Sequence, residues 1–205
     1  ETAISHLGSW HQDRVLYSIV PPDRLRRILT RVFDEEEFLS PYGIRSLSKM
    51  YQKTPYSYQQ GDDYATISYS PADSPVGMFG GNSNWRGPVW MPINYLLIEA
   101  LQKFSHVLGD EFKMEFPTGS GHELNLWQIS LELEQRLVGI FRRDASGRRA
   151  FNGDVDLFQN DDAWRDLFQF NEYFNGCTGA GVGASHQTGW TAVVAKMITQ
   201  LQRWR

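Results

Sequence analysis

Apolar residues recur at the three-and-four spacing of an α-helix in four well-separated stretches of this chain, so its core must be built largely from helices packed on one another. The longest is PVWMPINYLLIEALQKFSHVLG. Its Trp90, Ile93, Tyr95, Leu97, Ile98, Leu101 and Phe104 predict a buried helix from about Pro88 to a stop at Gly109. Leu25, Ile28, Leu29 and Val32 predict another over 22–33, with Pro22 in the first turn, where its missing N–H does no harm. A third is expected over 123–142, carrying Leu124, Trp127, Ile129, Leu133 and Leu137, and a closing one over 186–204, carrying Trp190, Val194, Met197 and Leu201. A short helix is expected at about 162–168. Long apolar helices separated by long polar loops describe an all-α toroid better than a Rossmann fold, although the chain holds only about half the helices such a ring needs.

The segments between the helices are read as follows. Residues 1–20 show little periodicity and are expected to be a connecting segment. TPYSYQQGDDYATISYSP alternates aromatic or β-branched with polar residues around Gly61, Asp62 and Asp63, which predicts a β-hairpin, its tyrosines covering a helix. FKMEFP reads as a strand, and 144–162 as loop.

Composition narrows the function. With 41% hydrophobic and 21% charged residues in 205, the chain can bury one sizeable core as a globular protein. A net charge of −4, with only short basic pairs, argues against a nucleic-acid partner, and no apolar run approaches the ~20 residues of a membrane span. The single Cys177 excludes an internal disulfide and fits a reducing, cytoplasmic setting. Starting at Glu1 with no signal-like segment, the sequence is expected to be a piece of a longer protein. Aromatics make up 14%, seven of them Trp, which suits both core packing and the stacking of sugar rings.

Two polar clusters stand out against this apolar pattern. In NEYFNGCTGAGVGASHQTGW, Glu172 sits among aromatics and opens a glycine-rich loop; apolar walls tune a carboxylate, and glycines let backbone approach a ligand. A helix-capping Glu beside a long turn is the plain alternative. In GGNSNWRGPVW, amide, indole and guanidinium groups of Asn84, Trp85 and Arg86 can hydrogen-bond and stack on a polyol; a capped helix entry is the alternative. Tyr42, in a Pro-Tyr-Gly break after a helix, could face the same site or simply connect.

Other motifs are weak. Gly179, Gly181 and Gly183 imitate a dinucleotide fingerprint, but no strand precedes them and no acidic residue follows at the required distance. Asp154 and Asp156 begin like a calcium loop but lack its later ligands. The five His show no metal-ligand spacing, so no metal is expected.

A carboxylate chemistry survives, and hydrolysis of a glycosidic bond needs two carboxyl groups. Here the sequence resembles a known family. GGNSNWRGPVWMPINYLLIEALQKF, EFLSPYGIRSLS and EYFNGCTGAGVGASHQTGWTAVVAK resemble, from about Leu25 onward, the C-terminal half of the catalytic domain of glycoside hydrolase family 63, most closely its bacterial and archaeal branch, related to mannosylglycerate hydrolase. The resemblance implies an (α/α)6 toroid, of which residues 1–205 would be a single partial domain. It implies an inverting α-glucosidase or α-mannosidase with no cofactor, acting on an oligosaccharide or glycoside. Glu172 matches the family's general base. Trp85, Arg86 and Asn84 match its sugar-binding mouth, and Tyr42, Tyr173, Gln187 and Trp190 match positions around the same cavity. Cys177 departs from the Asp usual there. The family's general acid is an Asp upstream of EFLSPYGIRSLS that falls outside this chain, so the N-terminal part of the same domain is the expected partner. A non-catalytic carbohydrate-binding or scaffolding domain is the alternative.

Overall fold

Pro22 does start a helix. The computed structural model describes residues 5–9, 12–77 and 84–203 and places α1 at Pro22–Val32, α2 at Met91–Leu108 and α3 at Leu126–Gly139. These are followed by α4 at Asp156–Asn160, α5 at Thr188–Thr191 and α6 at Val194–Arg203. Helix α2 packs along α3, and α3 along α6. Their shared faces bury Ile98, Leu101, Ile129, Leu133, Leu137, Val194 and Met197, and Leu25 and Leu29 of α1 extend the same core. Removing this apolar surface from water, at roughly 25 cal/mol per Å², is what holds the helices together.

The all-α expectation is overturned, because two-stranded antiparallel ladders join the helices and make the architecture mixed α/β. Strands β1 (Ser5–Ser9) and β2 (Gln12–Ser18) form a hairpin beside α2, where a connecting segment was expected. Strands β3 (Leu39–Ser40) and β4 (Gly43–Ile44) turn tightly about Pro41 and Tyr42. The predicted hairpin is β5 (Tyr56–Gln60) and β6 (Asp63–Ile67); Tyr56, Tyr58 and Tyr64 are exposed rather than covering a helix, and Tyr69 beyond it is buried. Strands β7 (Lys113–Glu115) and β8 (Glu123–Asn125) pair, as do β9 (Tyr173–Phe174) and β10 (Gly181–Val182). The two-residue ladders β3–β4 and β9–β10 are too short to show a period of their own, so the spacing of apolar residues cannot announce them.

Three helix boundaries also move. Helix α3 begins at Leu126 because Asn125 and Gln128 form a reciprocal capping box, which leaves 123–125 to pair with β7. The closing helix is split into α5 and α6, and it starts after His186, whose φ of 62° is not helical. The short helix falls at 156–160, not 162–168. Trp204 and residues 80–83 of the polar loop lie outside the described residues.

Side chains tie these ladders to the helices. Asn94 on α2 imitates a strand: its Oδ1 accepts the Ile44 N–H at 2.7 Å and its Nδ2 donates to the Ile44 carbonyl at 2.9 Å. Deeper, Val89 exchanges both backbone hydrogen bonds with Phe174, at 2.8 and 2.9 Å, and also bridges to Arg45. This seam joins the two polar clusters that the sequence singles out.

Candidate active site

Trp90, the residue before α2, lies almost fully buried at the centre of the site. Its ring stacks on Trp85 with centroids 3.8 Å apart and planes 6° from parallel, and on Tyr173 at 4.7 Å. The edge of Trp190 meets it at 6.1 Å. Its indole N–H donates to the Asn84 carbonyl at 3.0 Å, which leaves the apolar faces free to stack. Trp85 is 37% exposed and Trp190 38%, so both keep surface for a ligand. Sequence reasoning placed Trp90 on a buried helix face and missed its role. The available signal was the WRGPVW spacing, which sets two indoles on either side of a Gly-Pro turn.

The turn itself is forced. Gly87 has φ 146°, and a Cβ there would lie 2.6 Å from the Tyr69 ring and 2.7 Å from the Ser70 carbonyl. Asn84 is buried, with its amide donating to the carbonyls of Ser70 and Ala72 and its Oδ1 accepting the Arg86 N–H. Its side chain is therefore spent on holding the loop. Arg86 is also buried; its Nη2 donates to the Ser74 hydroxyl at 2.6 Å, while its Nε has no hydrogen-bond partner.

Glu172 caps no helix; it precedes β9. An open cleft of about 770 Å³ is lined by Glu172, Asp73, Ser74, Gly181, Val182, Gly183 and Ala184. The Glu172 backbone N–H donates to the Ala184 carbonyl at 2.8 Å, and its Oε2 accepts the Ala184 N–H at 3.2 Å. Tyr173 is fully buried and donates its hydroxyl to Asp73 Oδ1 at 3.1 Å. Burial, then the negative charges of Asp73 and Glu172, raise that hydroxyl above the ordinary tyrosine range, so it remains a proton donor. Asp73 and Ser74 carry no sequence signal beyond a Ser/Pro turn after the hairpin.

Glu172, Tyr173, Trp85, Arg86, Asn84 and Trp190 are thus drawn into one region. Gln187 lies beside it, its backbone N–H donating to Phe170 and its side chain exposed. Tyr42 goes elsewhere: it packs on Gly179 and lines a second cleft on the far side of the glycine-rich loop. Cys177 is exposed, with its Sγ 3.6 Å from the Tyr69 hydroxyl. Among the described residues, no His, Cys, Asp or Glu side chains gather as metal ligands would, and no helix is long and apolar enough to cross a membrane. An aromatic platform beside a carboxylate-lined open cleft suits a hydroxylated ring.

Comparison with known proteins points the same way. An uncharacterized protein of Saccharomyces cerevisiae is 50% identical over 191 residues, covering 92% of this chain and 18% of the relative. A protein named "probable mannosyl-oligosaccharide glucosidase" from Schizosaccharomyces pombe is 27% identical over 190 residues, covering 91% of this chain and 17% of the relative. The mannosyl-oligosaccharide glucosidase of S. cerevisiae is 24% identical over 177 residues, covering 85% and 15%. The chain spans less than a fifth of the length of the curated relatives it matches. These relatives are yeast proteins and carry no information on a bacterial or archaeal branch. The model of the glycosyl hydrolase family 63 C-terminal domain matches residues 2–118 and stops short of Glu172. Since that match takes in more than half of the chain, including the WRGPVW turn, the chain belongs to glycosyl hydrolase family 63.

Proposed function

We propose that this chain forms the base-bearing side of an inverting α-glycosidase centre, with Glu172 as the general base. The observation that carries this reading is Glu172 on an open cleft that it shares with Asp73, Ser74 and residues 181–184, beside the Trp85, Trp90 and Trp190 aromatic cluster. In this mechanism Glu172 takes a proton from water as the water attacks the anomeric carbon. A general acid, an Asp in a preceding part of the protein, protonates the leaving oxygen, with the two carboxyls about 6.5–9.5 Å apart to admit the water. Trp85 and Trp190 wall the sugar. Arg86, from within the protein, holds the Ser74 hydroxyl at the edge of the cleft. The names of two relatives favour glucosides over mannosides. Residues 1–205 are then one partial domain, completed by the N-terminal part of the same polypeptide.

The test is proton NMR of α-glucosides and α-mannosides incubated with the full-length protein, wild type beside Glu172→Gln. The expected result is release of the β-anomer, with the rate of the variant lower by roughly 10²–10⁴. A fully active Glu172→Gln protein would sink the assignment.

A further inference from the structure

On the far side of the glycine-rich loop from Glu172 lies a second cleft, of about 500 Å³, and its lining is unusual in charge. Four arginines, Arg142, Arg143, Arg148 and Arg149, line it. They converge because the chain doubles back: Arg143 and Arg149 form an antiparallel bridge, and Asp144 Oδ1 accepts the N–H groups of Ser146 and Arg148 to hold the turn. Two Arg-Arg pairs side by side repel unless acids or ligands compensate them.

Compensation within the protein is incomplete. Asp166 takes Arg143 at 2.8 Å and Arg149 at 3.5 Å, and Asp154 takes Arg148 at 3.1 Å. Asp144 is committed to its own turn, where the Ser146 hydroxyl and the Arg148 N–H hold its carboxyl below the usual range. Among the described residues, the Arg142 guanidinium has no hydrogen bond, ion pair or ring partner. The Tyr42 hydroxyl on the opposite wall also has none. Thr178 accepts the Ala180 N–H at 3.3 Å, which leaves its own proton free to donate. The groups left over are donors, and they come from three separate segments. Donors spread in this way suit a tetrahedral oxyanion better than a planar carboxylate held edge-on by one guanidinium. The cleft is also far larger than a lone anion needs, and it offers hydroxyl groups to a hydroxylated carrier.

We propose that this cleft binds the phosphate group of a small phosphorylated polyol, with Arg142 as the principal anion contact and Tyr42 and Thr178 as hydroxyl donors. The site does not depend on Glu172 being a catalytic base. It is tested on the full-length protein by calorimetric titration with inorganic phosphate, glucose 6-phosphate and glucose, comparing wild type with Arg142→Ala and Arg142→Lys. Glucose 6-phosphate is expected to bind and to be displaced by inorganic phosphate. Arg142→Ala should weaken it about tenfold or more, Arg142→Lys should restore part of the loss, and raised salt should weaken binding. Equal binding of glucose and glucose 6-phosphate would overturn the proposal, as would affinity unchanged by Arg142→Ala. Failure of both anions to bind at millimolar concentration, together with a lower melting temperature of Arg142→Ala, would also overturn it. That outcome would show the cleft filled by an acidic segment of the polypeptide itself.

Discussion

Position 183 decides how closely the chain can pass Glu172. Gly183 has φ 69°, and a Cβ there would stand 2.8 Å from Glu172 Oε2 and 2.6 Å from the Tyr173 ring. Gly183→Ala should therefore cost about 1–2 kcal/mol in backbone conformation alone and push the carboxylate away from the Ala184 N–H. Gly189→Ala is the control, because its Cβ would meet nothing within 4 Å and its φ is not positive. Thermal melts of the two variants check this; equal melting temperatures would contradict it. Residue types are what single out Glu172, Trp85 and Arg86 as candidates, because a carboxylate, an indole and a guanidinium in glycine-bounded loops are chemically unusual. They did not announce direction. Asn84 turns inward to hold its own loop, and Tyr42 turns to the other cleft, because main-chain carbonyls and a neighbouring glycine claim them first.

Among the elements, the α2, α3 and α6 contact holds a carboxyl that the proposed chemistry does not use. Glu134 is fully buried; its Oε1 accepts from Gln102 Nε2 at 3.4 Å, and its Oε2 has no partner. Burial pushes this carboxyl up to about 7; the Gln102 hydrogen bond opposes the shift, Glu99 adds to it and Lys196 opposes it. A folded value above the unfolded one means that the folded state holds the extra proton. Stability from this group is then full below about pH 4.5 and is lost as pH rises through 7, by about 3 kcal/mol. Glu134→Gln should flatten this dependence and raise stability above pH 7 by ~1–3 kcal/mol, read from urea melts at pH 5 and pH 8. A variant with the wild-type pH profile would refute the role. Helices were the legible part of the fold, since the periodicity of Leu25, Ile28 and Leu29, or of Ile98 and Leu101, survives any loop. Their ends were less so, because the Asn125 capping box and the left-handed His186 act over one or two residues.

At the scale of the whole molecule, the helical core is capped by short ladders, and several apolar side chains remain outside it. Leu96 is 63% exposed, Leu167 53% and Phe168 47%. With the chain spanning less than a fifth of its relatives, the isolated 205 residues should associate with themselves and hydrolyse no glycoside, whereas the full-length protein should. Sedimentation and the same NMR assay check both. Turnover by the isolated chain would show that its own carboxylates suffice, with Asp73 the first to consider as the acid.

The bridge between Val89 and Phe174 has a consequence for how the protein comes into being. Its two strands lie about 85 positions apart in the chain, so closing it costs loop entropy that only the later packing repays. During synthesis the Trp85 and Trp90 stack waits for its Tyr173 face until nearly the whole segment has left the ribosome. The Glu172 wall is therefore expected to assemble only after α1, α2 and α3 of this segment have been made, and chains truncated before Phe174 should lack the cleft together with α5 and α6.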